Sequence, residues 1–172
     1  MKIFITGVSG TGKTTIANIL NNRGIHAISI EEVPNLCVWK NKATEETVNY
    51  EAELNKTFID THDWNCDVKL LEELLNKNKD LTTIVLRSAA NQNDFISFFD
   101  KDLLLQYKPE TFIKRILKRK DTDFGKDESA QKLILDWYQE FEKHLIENGA
   151  IPVAAEQPKE KVVENIVNLV NE

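Results

Sequence analysis

Residues Lys2–Thr14 read KIFITGVSGTGKT, and this stretch decides the fold. Lys2–Thr6 is a short run of apolar and β-branched residues, which is typical of a buried parallel strand. Gly7–Thr14 matches the pattern G-x-x-x-x-G-K-S/T at every defined position. Lys13–Asn22 has apolar residues three and four positions apart, which predicts a helix after the loop. A strand, a glycine-rich loop and a helix in this order indicate a phosphate-binding loop.

Each part of this loop has a physical task. Its glycines permit backbone conformations and close approaches that a Cβ atom would block. The backbone N–H groups of the loop and of the helix N-terminus then point at phosphate oxygens. Lys13 would place its ammonium on the β- and γ-phosphates, and the Thr14 hydroxyl would ligate Mg²⁺. The sequence therefore predicts a nucleoside triphosphate site at Gly7, Ser9, Gly10, Thr11, Gly12, Lys13, Thr14 and Thr15.

Short apolar strands alternate with amphipathic helices along the rest of the chain. This alternation predicts an α/β fold with a mostly parallel sheet, in a single domain over residues 1–172. The pattern predicts further strands at His26–Ile30, Thr82–Leu86, Leu103–Leu105 and Ile151–Ala155. It predicts helices after a cap at Asn65, around Phe95–Phe99, from Pro109, over Ser129–Asn148 and over Lys159–Val170.

The segment of about residues 33–65 interrupts this alternation. Thr44–Ile59 has apolar residues near helical spacing, which predicts a largely helical insert. Trp39 and Trp64 flank that stretch. Their large rings would suit stacking on a base or sugar ring, or packing in the core.

Composition excludes several classes of protein. The 172 residues include 22 basic and 28 acidic ones, a net charge of −6, which disfavours broad binding of nucleic acid. The two cysteines, Cys37 and Cys66, form no CxxC pair, so a disulfide scaffold or a zinc site is not expected. A cationic leader is not expected from the opening MKIFITGVSG, and no apolar run reaches the roughly 18 residues that span a bilayer. We expect a cytoplasmic protein with no membrane segment; the sequence indicates no oligomeric state.

The phosphate-binding loop, the order of the elements and the chain length resemble those of the P-loop small-molecule and nucleotide kinases, such as adenylate kinase and shikimate kinase. The resemblance implies a three-layer fold whose five-stranded, mostly parallel sheet has the order 2-3-1-4-5. It implies transfer of the γ-phosphate of ATP, with Mg²⁺, to a small-molecule acceptor. In that family an acidic residue follows the second strand, a basic lid helix covers the phosphates, and a loop after the last strand holds the adenine.

Glu31 and Glu32 directly follow the predicted second strand. In a parallel sheet they would lie at the carboxyl edge, on the same side as the phosphate-binding loop. A carboxylate there would accept the acceptor's proton or hold Mg²⁺ through water. The sequence does not decide which of the two points inward, and a solvated acidic turn is the alternative.

The lid of the family would fall at about residues 114–128. Lys114–Lys120 holds five cations in seven residues, and Arg115 and Arg119 share one helix face. Because Arg119 ends this helix, the resemblance assigns it the role of the lid arginine that neutralises charge during transfer. A solvated basic helix face is the alternative. Pro158 follows the last strand, where it would pack on the adenine or simply begin a helix.

Two polar strings are candidates for the acceptor site. Arg87 and Asn91 leave the third predicted strand at the catalytic edge. His62, Asp63 and Trp64 combine a titratable ring, a carboxylate and a large aromatic ring. Helix capping and structural packing are the alternatives for His62, Asp63 and Asn91.

The acceptor class stays open among nucleosides, nucleotides, sugars and acids such as shikimate. The third strand ends in Arg87 and Ser88, without the acidic residue that many P-loop NTPases use to orient Mg²⁺. This absence disfavours a motor or switch ATPase. It also supports one alternative function, a regulatory nucleotide-binding NTPase that acts through a protein partner. The acidic balance disfavours a polynucleotide kinase.

Overall fold

The computed structural model describes residues 1–8, 11–49, 56–118 and 128–171. These residues form eight strands, six helices and two short 3-10 turns at Gln92–Asp94 and Ile96–Phe98. In chain order the strands and helices are β1 (Lys2–Thr6), α1 (Lys13–Asn22), β2 (His26–Ser29), β3 (Cys37–Asn41), β4 (Thr47–Val48), α2 (Lys56–Thr61), β5 (His62–Cys66), α3 (Val68–Lys77), β6 (Thr83–Leu86), β7 (Lys101–Gln106), α4 (Pro109–Leu117), α5 (Glu128–Glu147), β8 (Ile151–Ala154) and α6 (Lys159–Asn171).

The central sheet has five parallel strands in the order β2–β6–β1–β7–β8. Counted within this sheet alone, the order is 2-3-1-4-5, so the predicted fold class and strand order are confirmed. Ile5 of β1 is opposite Leu86 of β6 on one side and Leu103 of β7 on the other. The loops after β1, β2 and β6 therefore leave the sheet side by side at its carboxyl edge, where parallel α/β sheets bind ligands.

Helices cover both faces of this sheet. Ile3 and Ile5 belong to a buried cluster with residues of α1 and α6, whereas Phe4 belongs to a cluster with residues of α3. Successive side chains of a strand point to opposite faces, so this division follows from the strand's period of two. Each large apolar side chain buried in this way contributes about 1.5–3 kcal/mol. The core thereby fixes β1, the strand that leads into the phosphate-binding loop.

The segment between β2 and α3 differs most from the sequence-based prediction. Its described residues, 33–49 and 56–66, contain a three-stranded antiparallel sheet in the order β4–β3–β5. The predicted helical insert was wrong in this part, because the described helical residues begin only at Lys56. Residues 50–55, which carried part of the helical pattern, lie outside the described ranges.

Pairing across the small sheet and a local turn account for this difference. Trp39 and Trp64 are directly opposite each other in β3 and β5, and their ring centroids are 5.3 Å apart. The Asn41 side chain accepts hydrogen bonds from the N–H groups of Ala43 at 2.9 Å and Thr44 at 3.2 Å. Such an Asx turn competes with helix formation at the place where the helix was predicted to begin.

The helix that follows the insert is capped by a different residue than predicted. Asn65 lies within β5, and Asp67 caps α3 because its Oδ1 accepts the N–H of Leu70 at 3.0 Å. The cap lies two residues later because β5 continues to Cys66 before the chain turns into α3. Among the helices within the described ranges, none is long and apolar enough to cross a bilayer.

Candidate functional site

The phosphate-binding loop connects β1 to α1 at the carboxyl edge of the sheet. A Cβ atom on Gly7 would lie 2.9 Å from the backbone oxygen of Leu105, so the close approach of β7 requires a glycine. Gly12 has a φ of +88° and caps α1 in the left-handed conformation, which side chains other than that of glycine rarely adopt. Ser9 and Gly10, which were also predicted to bind phosphate, lie outside the described residues.

The Lys13 ammonium folds back onto the loop itself. It donates hydrogen bonds to the backbone oxygens of Gly7 at 2.5 Å and Val8 at 2.9 Å, and lies 3.3 Å from Thr11 Oγ1. Burial, together with the nearby positive charge of Arg87, lowers the pKa of Lys13 to about 7. The ammonium is therefore poorly compensated here, and a phosphate would supply the negative charge that it lacks.

The outer side of the loop is held by groups from distant parts of the chain. Thr11 is fully buried, and its backbone oxygen accepts hydrogen bonds from Lys159 Nζ at 2.8 Å and Tyr107 Oη at 3.2 Å. The Ser88 hydroxyl donates to the Gly7 backbone oxygen at 2.8 Å. Sequence reasoning missed all three donors. All three side chains donate to backbone oxygens of the loop, so they do not compete for the N–H groups that would bind phosphate.

Glu31 and Arg87 form an ion pair beside this loop. Glu31 follows β2 and Arg87 follows β6, and these strands are neighbours in the sheet. Burial lowers the pKa of Arg87 to about 10. The positive charge of Arg87 in turn helps to lower the pKa of Lys13. Glu32 donates its backbone N–H to the Ser29 oxygen in a turn; both glutamate side chains are exposed, but only that of Glu31 has an ion-pair partner among the described residues. The geometry therefore distinguishes two glutamates that the sequence left equivalent.

We compared the sequence with models of known protein families. A family model described as AAA domain matches residues 3–136, which is well over half of the chain and includes the phosphate-binding loop, Glu31 and Arg87. The chain belongs to this AAA domain family. A search of curated proteins gave no significant match to this chain.

Several solved structures share the fold of this AAA domain. Shikimate kinase from Aquifex aeolicus vf5 has 16% identity and a TM-score of 0.59, with 99% of this chain and 96% of that chain covered. Deoxyadenosine kinase from M. mycoides with bound dATP has 21% identity and a TM-score of 0.53, with both chains covered completely. A sugar kinase from Janibacter sp. HTCC2649 has 17% identity and a TM-score of 0.53, with 99% and 94% covered. The resemblance to P-loop small-molecule kinases is thus confirmed for the fold.

Three residues of the insert, His62, Asp63 and Trp64, were predicted to bind the acceptor. Only Trp64 lies next to the Glu31–Arg87 ion pair. Trp64 lies beside Arg87, whose guanidinium carbon is 5.6 Å from the indole ring centroid, and its buried Nε1 has no hydrogen-bond partner among the described residues. His62 stacks on Phe58 at 4.1 Å and lies 3.1 Å from the Phe58 backbone oxygen through Nδ1. Asp63 pairs with Lys42 at 3.5 Å. Because Asp63 alternates with Trp64 along β5, it points to the other face of the small sheet.

Asn91 clamps the insert of the AAA domain to the main sheet. Its Oδ1 accepts the N–H of Cys66 at 2.8 Å, and its Nδ2 donates to the Cys66 oxygen at 2.9 Å. The N–H of the preceding residue, Ala90, donates to the Trp64 backbone oxygen at 2.8 Å. Asn91 was predicted to bind the acceptor, and that role stays a prediction. Both polar ends of its amide are already used to hold β5.

We expect Asn91→Ala to lower the stability of the protein. Two hydrogen bonds of about 1 kcal/mol each are lost, which corresponds to a melting temperature about 4–8 °C lower for a protein of this size. Thermal unfolding followed by circular dichroism measures the change. Asn93→Ala is the matched control, because Asn93 is exposed two residues away. Equal melting temperatures for the two variants would contradict the clamp.

The structure describes only part of the segments that are predicted to cover the nucleotide. Arg119 and most of the predicted lid, residues 119–127, lie outside the described residues. Arg115 lies over the Tyr107 ring, with its guanidinium carbon 4.2 Å from the centroid. Glu156 accepts the N–H of Lys108 at 3.2 Å, and a hydrogen bond from Thr111 is the largest cause that lowers the pKa of Glu156. These contacts fix the loop that carries Pro158 against the start of α4; the role of Pro158 stays a prediction.

Proposed function

We propose that this AAA domain protein is an ATP-dependent phosphotransferase that moves the γ-phosphate of ATP to a hydroxyl or phosphate of a small-molecule acceptor. The observation that carries the proposal is the Glu31–Arg87 ion pair at the carboxyl edge of the sheet, next to Lys13 of the phosphate-binding loop. A carboxylate held there can take the proton of an acceptor hydroxyl, which a protein that only bound a nucleotide would not require.

The reaction can be assigned to groups of this chain. An acceptor oxygen attacks the γ-phosphorus as the bond to the β–γ bridging oxygen breaks and ADP leaves. For a hydroxyl acceptor, the proton passes to the Glu31 carboxylate, which Arg87 holds in position. Lys13 leaves the carbonyl oxygens that it now contacts and neutralises charge on the β- and γ-phosphates. Arg119 is proposed to supply a second cation from the lid.

The site is suited to Mg²⁺. Thr14 and Thr15 are exposed in the first turn of α1, and the exposed Glu31 and Glu32 follow β2 at the same edge of the sheet, so oxygen donors and room for water are both present. Mg²⁺ keeps several water ligands and prefers oxygen donors. We propose that the Thr14 hydroxyl would hold the ion, which would supply neutralisation of part of the phosphate charge.

The insert is proposed to bind the acceptor. Trp64 lies next to Arg87 and presents a buried indole N–H that no described protein group uses, so an acceptor oxygen is a suitable partner. The similar structures are named as kinases of shikimate, deoxyadenosine and a sugar. These three classes, together with nucleotides, are the acceptors to test first.

The deciding experiment measures ADP release from Mg-ATP with and without a panel of nucleosides, nucleoside monophosphates, sugars and shikimate. Lys13→Ala protein is the blank. Strong stimulation by one class, with a phosphorylated product found by mass spectrometry, supports the proposal and names the acceptor. Slow release that no acceptor changes would contradict it and favour a regulatory nucleotide-binding protein with a protein partner.

The lowered pKa of Lys13 predicts that nucleotide binding depends on pH. Below pH 7 Lys13 is already protonated in the nucleotide-free protein, whereas above pH 7 it must take up a proton to meet the phosphates. The Kd of ADP is therefore expected to rise about tenfold per pH unit above pH 7. Calorimetry in two buffers of different ionisation enthalpy measures the proton uptake directly.

Lys13→Arg is the control for this pH dependence, because a guanidinium keeps its charge over the whole range. Its affinity for ADP, whatever its size, is expected to show no such slope. A wild-type Kd that stays constant from pH 7 to pH 9 would contradict the proposed proton uptake.

A further inference from the structure

Lys159 occupies an unusual position for a lysine. It is the first residue of α6, where the positive end of the helix dipole disfavours a cation. Its ammonium does not turn to solvent but reaches the phosphate-binding loop, where it donates to the Thr11 backbone oxygen at 2.8 Å and to Tyr107 Oη at 2.9 Å. A Cβ atom built on Gly12 would lie 2.6 Å from this ammonium. The side chain therefore lies directly against the residue that precedes Lys13.

The hydrogen bond from Lys159 fixes the position of the Thr11 carbonyl oxygen. Lys159 and Tyr107 both donate to it, which uses both lone pairs of the oxygen. The peptide group between Thr11 and Gly12 is planar and trans, so its C=O and N–H point in opposite directions. Holding the carbonyl oxygen on the outer side of the loop consequently turns the Gly12 N–H toward the inner side, where phosphate would bind.

Tyr107 is itself held from behind. Tyr138 of α5 accepts the Tyr107 N–H at 3.0 Å and donates its hydroxyl to the Tyr107 backbone oxygen at 2.8 Å. Tyr107 is 2% exposed and Tyr138 is 1% exposed, so water does not compete with these bonds. The Thr11 carbonyl is thus fixed by a buried network that begins in α5 and by one cation from α6.

We propose that Lys159 is a positioning residue for phosphate: it keeps the Thr11–Gly12 peptide in the orientation that presents the Gly12 N–H to the bound polyphosphate. The inference rests on the proposed function, because it assumes that the loop binds a nucleotide. Lys159 also joins two parts of the nucleotide site, since it directly follows the loop that carries Pro158.

The test compares the affinities of Lys159→Met for ADP and for inorganic tripolyphosphate, each by calorimetry. Methionine keeps the length and packing of the side chain but removes the charged donor. Losing one charge-assisted hydrogen bond at the loop is expected to raise both dissociation constants about tenfold, by the same factor. Lys161→Met is the matched control: Lys161 is exposed on the same helix and pairs with Glu164 at 3.0 Å, so both affinities should stay within about twofold of wild type.

A spectroscopic signature separates positioning from a general loss of structure. The chain has six glycines, so ¹⁵N-glycine labelling gives a simple spectrum in which the Gly12 amide is assigned by its absence in Gly12→Ala. In the wild type, ADP is expected to shift this amide downfield as it donates to phosphate. In Lys159→Met the shift at saturating ADP is expected to shrink, while Gly24 and Gly149, far from the loop, are unchanged.

Tyr107→Phe provides a second variant should Lys159→Met fold poorly. It removes the other donor to the Thr11 carbonyl and is expected to raise the dissociation constants of ADP and tripolyphosphate by a smaller factor than Lys159→Met does. In the double variant the loss is expected to differ from the product of the two single losses, because both side chains act on one oxygen. A loss that multiplies without any coupling would contradict action through a shared carbonyl.

The possible failures are distinct. If wild-type protein binds neither ADP nor tripolyphosphate, the proposed function fails and the inference fails with it. If the wild type binds both and Lys159→Met binds them equally well, the inference alone is overturned. It is also overturned if Lys159→Met weakens the binding of ADP but not that of tripolyphosphate, because Lys159 would then act through the loop that carries Pro158 rather than through the phosphate-binding loop.

Discussion

Lys13→Ala is expected to lower kcat of phosphoryl transfer about 10³-fold, which corresponds to about 4 kcal/mol of lost transition-state stabilisation. The transferred phosphoryl group asks for little beyond positioning and charge neutralisation, so removal of the cation on the β- and γ-phosphates removes a main part of catalysis. Acceptor-stimulated ADP release measures the loss, and it should appear both in kcat and in kcat/KM for ATP.

The same variant is expected to keep its fold. The Lys13 ammonium has its pKa lowered by burial, so its charge is an unfavourable feature of the nucleotide-free protein rather than a source of stability. Its hydrogen bonds to Gly7 and Val8 are replaced in part by the Ser88 hydroxyl, which already contacts the Gly7 oxygen. Lys77→Ala, at an exposed end of α3, is the control for the loss of a lysine. Turnover above a tenth of wild type in Lys13→Ala would contradict the proposed role.

The elements that the sequence predicted correctly are those whose signal is local. Lys2–Thr6 and the phosphate-binding loop are recognisable because an apolar run and the glycine spacing lie within a few residues of each other. The helix over Lys13–Asn22 has the predicted bounds, since its apolar side chains recur at helical spacing and face the core. The strand order follows from the family resemblance, because the same loop and element order constrain the sheet.

The insert could not be predicted in the same way because its order comes from partners far apart in the chain. Cys37 lies opposite Cys66 and Trp39 lies opposite Trp64, and neither pairing leaves a periodic trace in one segment. The Asx turn at Asn41 was a local signal that outweighed the loose helical spacing after it. The hydrogen bonds of Asn91 to the backbone of Cys66 likewise join residues far apart in the chain, and no local pattern predicts them.

The sequence did not reveal the residues that support the candidate site, and the roles of the central residues stay predictions. Lys13 and the two glutamates follow from the loop and the second strand, whereas Lys159 and Tyr107 act on Thr11 from positions that only the folded chain brings together. One local signal existed for Lys159, a cation in the first turn of a helix, where the dipole disfavours it. Residues that orient a loop from behind carry no motif of their own.

Glu31→Gln is expected to lower kcat about 10²–10⁴-fold with little change in the KM for ATP, if the acceptor is a hydroxyl. Glutamine keeps the shape of the side chain but cannot take the proton from the attacking oxygen. The effect falls on kcat because the nucleotide is held by the loop and by Lys13, not by Glu31. Steady-state rates with the acceptor found in the panel, at saturating ATP, measure it.

Glu32→Gln is the matched control, since it changes the next residue in the same way. Both side chains are exposed, but Glu31 is paired with Arg87 beside the loop, whereas the backbone N–H of Glu32 closes the turn to Ser29. We therefore expect Glu32→Gln to keep kcat within about threefold of wild type, as an exposed charge outside the reacting groups should. The opposite outcome, a large loss in Glu32→Gln and none in Glu31→Gln, would transfer the role of the base to Glu32. The ion pair would then be a structural link between β2 and β6, and the charge of Arg87 would serve only to lower the pKa of Lys13.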